Sequence, residues 1–155
     1  MNFEDFLKEN DMTITKTEAL NHNVLVFAFV GDAVFTLYVR ELLASSSTKK
    51  AGVLHTETSK FVKASFQAKL IESMCPILSE NEQRICNTAR NIKTHNIAKN
   101  SNLEEYKKAT SFESLLGYLY MTKDNARLIE ILNICKQKIT EDWLWKLKER
   151  MQLRK

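Results

Sequence analysis

The densest run of hydrophobic positions lies between about Thr17 and Ala44, where apolar residues fall on nearly every side of a helix. A helix of that kind belongs at the centre of a domain with other helices packed around it. After the polar SSSTKK segment, Leu54, Phe61, Val62, Phe66 and Leu70 recur at helical spacing up to Cys75, and Pro76 forbids simple continuation. Three later positions carry the S/T-x-x-E signature of a helix start: Ser79 with Glu82, Ser101 with Glu104, and Thr110 with Glu113. The last stretch predicts a helix from about Asn125 to Lys138. A further basic helix is predicted over about 140–153, with Glu141 and Asp142 in its first turn, as the helix dipole favours. Only 3 glycines and 1 proline punctuate the chain, and the segments between them are rich in good helix formers. The predicted fold is all-α.

A length of 155 residues suits one domain (1–155), with a core over about 17–138, and leaves no room for a separate binding domain. Hydrophobic content of 44% and charged content of 27% exclude a disordered or membrane class. The apolar run around Phe29 is interrupted by Asp32, and Met1 is followed by Asn2, Glu4 and Asp5, so neither a spanning helix nor a signal peptide is expected. Cys75, Cys86 and Cys135 are odd in number and widely spaced, which reads as reduced thiols in a cytoplasmic protein. A net charge of +4 is modest, so its distribution matters more than its size.

Two carboxylates stand out. Asp32 follows Gly31 in an apolar run, where an unpaired buried charge costs of the order of several kcal/mol and calls for a cation, a hydrogen-bond partner or a raised pKa. A mid-helix glycine costs roughly 1 kcal/mol against alanine and is kept mainly where a backbone or ligand comes close. The alternative is that Asp32 caps a neighbouring helix or pairs with Arg40. The run from Thr110 to Tyr120 repeats the pattern, with Glu113 in apolar surroundings and Gly117 one turn on. For Glu113 the rival is the capping box with Thr110. Two such helices crossing at their glycines would bring Asp32 and Glu113 together, and a hard cation such as Mg²⁺, which keeps several waters, would relieve their repulsion. Such an ion activates water and stabilises the leaving oxygen of a phosphodiester.

The runs FVGDAVFTLYVR and KATSFESLLGYLY, with ARNIKT between them, resemble the ribonuclease III family, and in combination its Mini-ribonuclease III branch, which lacks the double-stranded-RNA-binding domain. The resemblance covers roughly residues 20–135. It implies the helical endonuclease fold of that family around the long apolar helix and a homodimer with one metal site per subunit. It also implies Mg²⁺ dependence, with Mn²⁺ able to substitute. Asp32 and Glu113 match the family's catalytic, metal-binding carboxylates. Ala28 and Thr110 stand where full-length relatives carry two more, so half of a four-carboxylate cluster is absent and water or RNA phosphate must complete the coordination. Thr110 is a candidate to hold a water beside the metal. The implied substrate is duplex RNA, in particular the paired ends of the 23S ribosomal RNA precursor, with a ribosomal protein as a candidate partner that presents it.

Duplex RNA is held through phosphates and 2′-hydroxyls, which calls for Lys, Arg and hydrogen-bonding side chains. Between Glu82 and Glu104 there is no acidic residue, and Arg84, Arg90, Asn91, Lys93, Thr94 and Lys99 lie there as candidate contacts, with Lys107 and Lys108 just beyond. The bland alternative is a solvated helix face and polar loop. His95 is read as a polar contact, since a metal-activated water needs no imidazole base. Trp143, Leu144 and Leu147 form an apolar stripe read as core packing. Two rival functions remain at this level: a catalytically silent RNA-binding protein of the same fold, and a helical adaptor in which both carboxylates are structural.

Overall fold

The computed structural model describes residue 5, residues 13–93 and residues 102–152, with backbone alone at residues 145–151. Among the described residues there is no strand. The helices are α1 (Lys16–Leu20), α2 (Val24–Ser45), α3 (Ala51–Val62), α4 (Ala64–Met74), α5 (Glu80–Arg90), α6 (Leu103–Met121) and α7 (Asn125–Gln152), with a 3-10 turn at Cys75–Ile77. The all-α expectation holds, and Pro76 sits at the start of the turn that ends α4.

Several boundaries differ from the sequence reading, each for a local reason. The helix expected from Thr17 to Ala44 is broken at residues 21–23, because Asn23 caps α2 by accepting from the Leu25 amide at 3.0 Å. Thr15 and Glu18 form a reciprocal capping box on α1 that the sequence reading passed over. Lys63, extended at φ −70 and ψ 153, ends α3 and starts α4, and the bend brings Phe61 and Phe66 edge to face at 5.2 Å. The box of Ser79 and Glu82 on α5 is present as predicted. On α6 the cap is Asn102 and not Ser101, which lies outside the described residues. Thr110 caps nothing: it is buried in the middle of α6 and its hydroxyl donates to the Tyr106 carbonyl at 3.0 Å. The two expected C-terminal helices are one, α7, since no glycine or proline interrupts residues 125–152.

α2 and α6 cross at the centre. Val24, Phe27, Gly31, Phe35, Val39 and Leu43 recur every three or four residues and form one buried stripe on α2, while α6 buries almost everything from Ala109 to Leu119. Phe35 and Phe112 meet edge to face at 4.9 Å across the crossing. Ser114, fully buried, has its hydroxyl 3.2 Å from the Val24 carbonyl and 2.7 Å from the Thr110 carbonyl. α5 is tied to α6 by the Ser111 hydroxyl, which donates to the Cys86 carbonyl at 2.9 Å. α5 is tied to α7 by Arg127, whose guanidinium grips both oxygens of the buried Glu82 carboxylate at 2.9 and 3.0 Å. Trp143 on α7 packs partly against the core while Leu144 is exposed, so the apolar stripe expected there is only partly internal.

Candidate active site

The site is made by a helix crossing that only glycine permits. A Cβ on Gly31 would lie 1.8 Å from the Glu113 carbonyl oxygen and 2.8 Å from the Gly117 nitrogen. A Cβ on Gly117 would lie 1.9 Å from the Phe27 carbonyl oxygen. The two backbones are therefore in contact, and Asp32, next to Gly31 on α2, and Glu113, whose backbone Gly31 meets on α6, are neighbours across the crossing.

Their environments differ. Glu113 is mostly buried, and its carboxyl is pushed up from 4.5 to about 7 by that burial and by the charge of Asp32, with a hydrogen bond from Gln67 opposing both. Asp32 is exposed in the chain as described, which corrects the expectation of a buried aspartate. The reason is that α2 is covered on one side only. Its opposite side carries Leu25, Val26, Phe29 and Leu37 into solvent, with Phe29 81% and Leu37 65% exposed. The run that looked apolar all round is thus a core stripe backed by a bare apolar stripe, and Asp32 lies along the margin between them.

Asp32 and Glu113 form an oxygen donor pair that fits a hydrated hard cation: both are carboxylates, and a cation would offset the burial, and secondarily the repulsion by Asp32, that raise the Glu113 carboxyl. Among the described residues no third His, Cys, Asp or Glu joins them. Ala28 and Thr110, the positions where the resemblance implies carboxylates in full-length relatives, are both buried. One further group belongs to the site and was missed from sequence. Gln67 on α4 is 1% exposed, and its Oε1 is buried with no hydrogen-bond partner among the described residues. The available signal was its position on the stripe of Leu70, Ile71 and Met74, where a glutamine is out of place.

The candidate RNA contacts are arranged around α5. Arg84, Asn91 and Lys93 are exposed, and Arg84 and Asn91 line an open depression along that helix with Gln83, Asn87 and Thr88. Arg90 and Lys108 line a second groove, of about 270 Å³, between α4, α5 and α6. Both are ion-paired there, Arg90 with Glu104 at 3.2 Å and Lys108 with Glu72. Lys107 is half-buried on α6. Thr94 and Lys99 lie outside the described residues, as does His95.

Residues 25–124 match the family model described as the ribonuclease III domain. The chain belongs to the ribonuclease III family. Within it the chain is similar to proteins named Mini-ribonuclease 3. One from Thermoanaerobacter sp. (strain X514) is 40% identical over 133 residues, which is 86% of this chain and 94% of that protein. Those of Enterococcus faecalis and Streptococcus pneumoniae are 40% and 39% identical, covering 77% and 76% of this chain and 92% and 93% of theirs. A crystal structure of a protein from Fusobacterium nucleatum superposes with a TM-score of 0.68 at 27% identity, over 76% of this chain and 93% of that one. The family assignment makes this helical domain a ribonuclease, and the glycine crossing with its two carboxylates lies inside the matched segment. No helix among the described residues is long and apolar enough to cross a membrane.

Proposed function

We propose that the protein is a Mg²⁺-dependent endoribonuclease that hydrolyses both strands of duplex RNA, with Asp32 and Glu113 as its metal-binding catalytic carboxylates. The observation that carries this reading is the contact of α2 and α6 through Gly31 and Gly117, which sets the two carboxylates side by side. Asp32 and Glu113 would hold the ion, Mn²⁺ being able to replace Mg²⁺, and when bound it supplies an activated water and shields charge on the leaving oxygen. The chain's own part is to fix the two oxygen donors on rigid helices and to leave Asp32 open to solvent, where a phosphate can approach. In the reaction water oxygen adds to phosphorus, the P–O3′ bond breaks, and the products carry 5′-phosphate and 3′-hydroxyl ends. Arg84, Asn91 and Lys93 are suited to phosphates and 2′-hydroxyls of an A-form helix.

The active species in this reading is a homodimer. The exposed stripe of Leu25, Val26, Phe29 and Leu37 is a surface that a second copy would cover by pairing α2 with α2 about a two-fold axis. A dimer carries two equivalent sites, one for each strand. The substrate implied by the family resemblance is the paired termini of 23S ribosomal RNA precursor in the cytoplasm, with a ribosomal protein as a partner that presents them.

The absence of a third metal-ligating side chain among the described residues favours one alternative, a silent protein that binds duplex RNA without cutting it. Incubation of the protein with an end-labelled RNA duplex in Mg²⁺ and in EDTA separates them. Mg²⁺-dependent cutting that Asp32→Asn abolishes, with duplex binding retained, supports the nuclease. Binding with no cutting across a range of Mg²⁺ and Mn²⁺ would establish the silent protein instead.

A further inference from the structure

Gln67 poses a chemical problem. It sits on α4 at 1% exposure, and a buried carboxamide that does not use all its hydrogen-bonding groups destabilises the fold. Its Nε2 donates to the Val62 carbonyl at 3.0 Å, an oxygen that the bend at Lys63 leaves without a helical partner at the end of α3. That contact uses one amide proton and would suffice for a purely structural role. The second proton is free for Glu113 on α6, which is near enough for the carboxamide to favour its charged form. Oε1, on the same planar group, is buried with no hydrogen-bond partner among the described residues. A leucine or methionine at this place would fill the space without stranding an oxygen. The polar group therefore has its use toward Glu113.

We propose that Gln67 is a positioning residue of the carboxylate pair: one amide proton anchors it on the Val62 carbonyl, the other holds the Glu113 carboxylate beside Asp32, and Oε1 accepts a hydrogen bond from a water of the bound ion. This rests on the metal-site reading above. With so few protein ligands, water must complete the ion's coordination, and a fixed acceptor orders one such water. Residues that orient metal ligands in this way typically change metal affinity by about 10- to 100-fold when removed.

The test uses Gln67→Met, which keeps the reach of the side chain and removes its hydrogen bonds. Mn²⁺ binding to the full chain without RNA is followed by electron paramagnetic resonance, alongside duplex cleavage against Mg²⁺ concentration and melting in EDTA. The proposal expects Mn²⁺ affinity to fall by about 10-fold. The Mg²⁺ needed for half-maximal cleavage should rise by a similar factor, with most of the maximal rate recovered at saturation. Unchanged Mn²⁺ affinity in Q67M, with or without a lower melting temperature, overturns it and leaves the metal site standing. A wild-type protein that neither binds Mn²⁺ nor cuts duplex overturns the metal-site reading itself, and this inference with it. A measurement free of any change at position 67 is the side-chain amide resonance of Gln67 in ¹⁵N-labelled protein. It should shift as Mg²⁺ is added and stay still in Asp32→Asn, and a resonance indifferent to Mg²⁺ in the wild type counts equally against the proposal.

Discussion

Gly31 lies so close to Glu113 that a methyl group on the glycine would sit 1.8 Å from the Glu113 carbonyl oxygen, well inside any van der Waals contact. The reciprocal contact, Gly117 against the Phe27 carbonyl, is as tight at 1.9 Å. Both obstacles are backbone atoms within helices, which cannot swing aside as a side chain can. Gly31→Ala and Gly117→Ala should therefore each force α2 and α6 apart at a cost of at least about 3 kcal/mol, toward the upper end of overpacking effects. In a domain of this size that lowers the melting temperature by roughly 10 °C. Thermal unfolding followed by circular dichroism checks this. Gly52→Ala is the control, because nothing lies within 4 Å of its added Cβ, and it should be neutral or slightly stabilising.

Phe29 is the centre of the bare stripe on α2 and is 81% exposed in the single chain. Phe29→Asp should convert the protein from a species of about twice the 18.0 kDa chain mass to the chain mass itself, as read by light scattering after size-exclusion chromatography. The core stripe of α2 is on the other side, so helical content should be unchanged. A monomeric wild-type protein at micromolar concentration would remove the dimer from the proposed function.

The Glu113 carboxyl sits at about 7 in the folded chain against 4.5 normally. A raised carboxyl means that the folded state holds the proton more tightly than the unfolded state. Its effect on stability is therefore absent below the unfolded value and grows as a loss while pH rises from about 4.5 to about 7, where it levels off. At about 1.4 kcal/mol per unit the whole loss is of the order of 3 kcal/mol. Glu113→Gln in EDTA should melt higher than wild type at pH 8 and much like it at pH 4. Adding Mg²⁺ should raise the melting temperature of wild type at pH 8 and leave Glu113→Gln nearly unmoved.

Glu82 behaves in the opposite sense. Burial alone would raise its carboxyl, but hydrogen bonds from Arg127 and the Ser79 amide, with the Arg127 charge, outweigh that and hold it below 4.5. Its contribution is complete above pH 4.5 and is lost as pH falls through the folded value below it. Arg127→Met leaves the buried carboxylate without its counter-ion and should cost about 3 kcal/mol at pH 7. The deficit should shrink as pH falls, because without Arg127 burial raises the Glu82 carboxyl and it takes up a proton, which melting curves between pH 3 and pH 7 would reveal.

Much of this was legible in the sequence because the relevant physics is local. The scarcity of glycine and proline gives an all-helical chain. Ser79 with Glu82 gives a helix start, and Pro76 gives an end. A glycine next to Asp32 and another one turn after Glu113 give two helices that touch, since a mid-helix glycine is costly unless something occupies the space of its side chain. The helix breaks at Asn23 and Lys63 were not legible, because an asparagine or an extended lysine is tolerated in many settings and only the packing around it selects the bend. The same limit applies to the cap assigned to Thr110, a residue whose type suits a helix start and whose neighbours bury it mid-helix.

The sequence by itself determined the helical class, the two carboxylates and the glycines that let them meet, since each follows from the properties of a residue and its near neighbours along the chain. Tertiary structure alone decided that one side of α2 is bare, that Asp32 stands in solvent while Glu113 is mostly buried, and that Gln67 from α4 comes near Glu113. The physical reason is that an apolar position reads the same whether another helix of the chain or a second molecule is to cover it. The influence of Gln67 on Glu113 exists only once α4 and α6 are packed together.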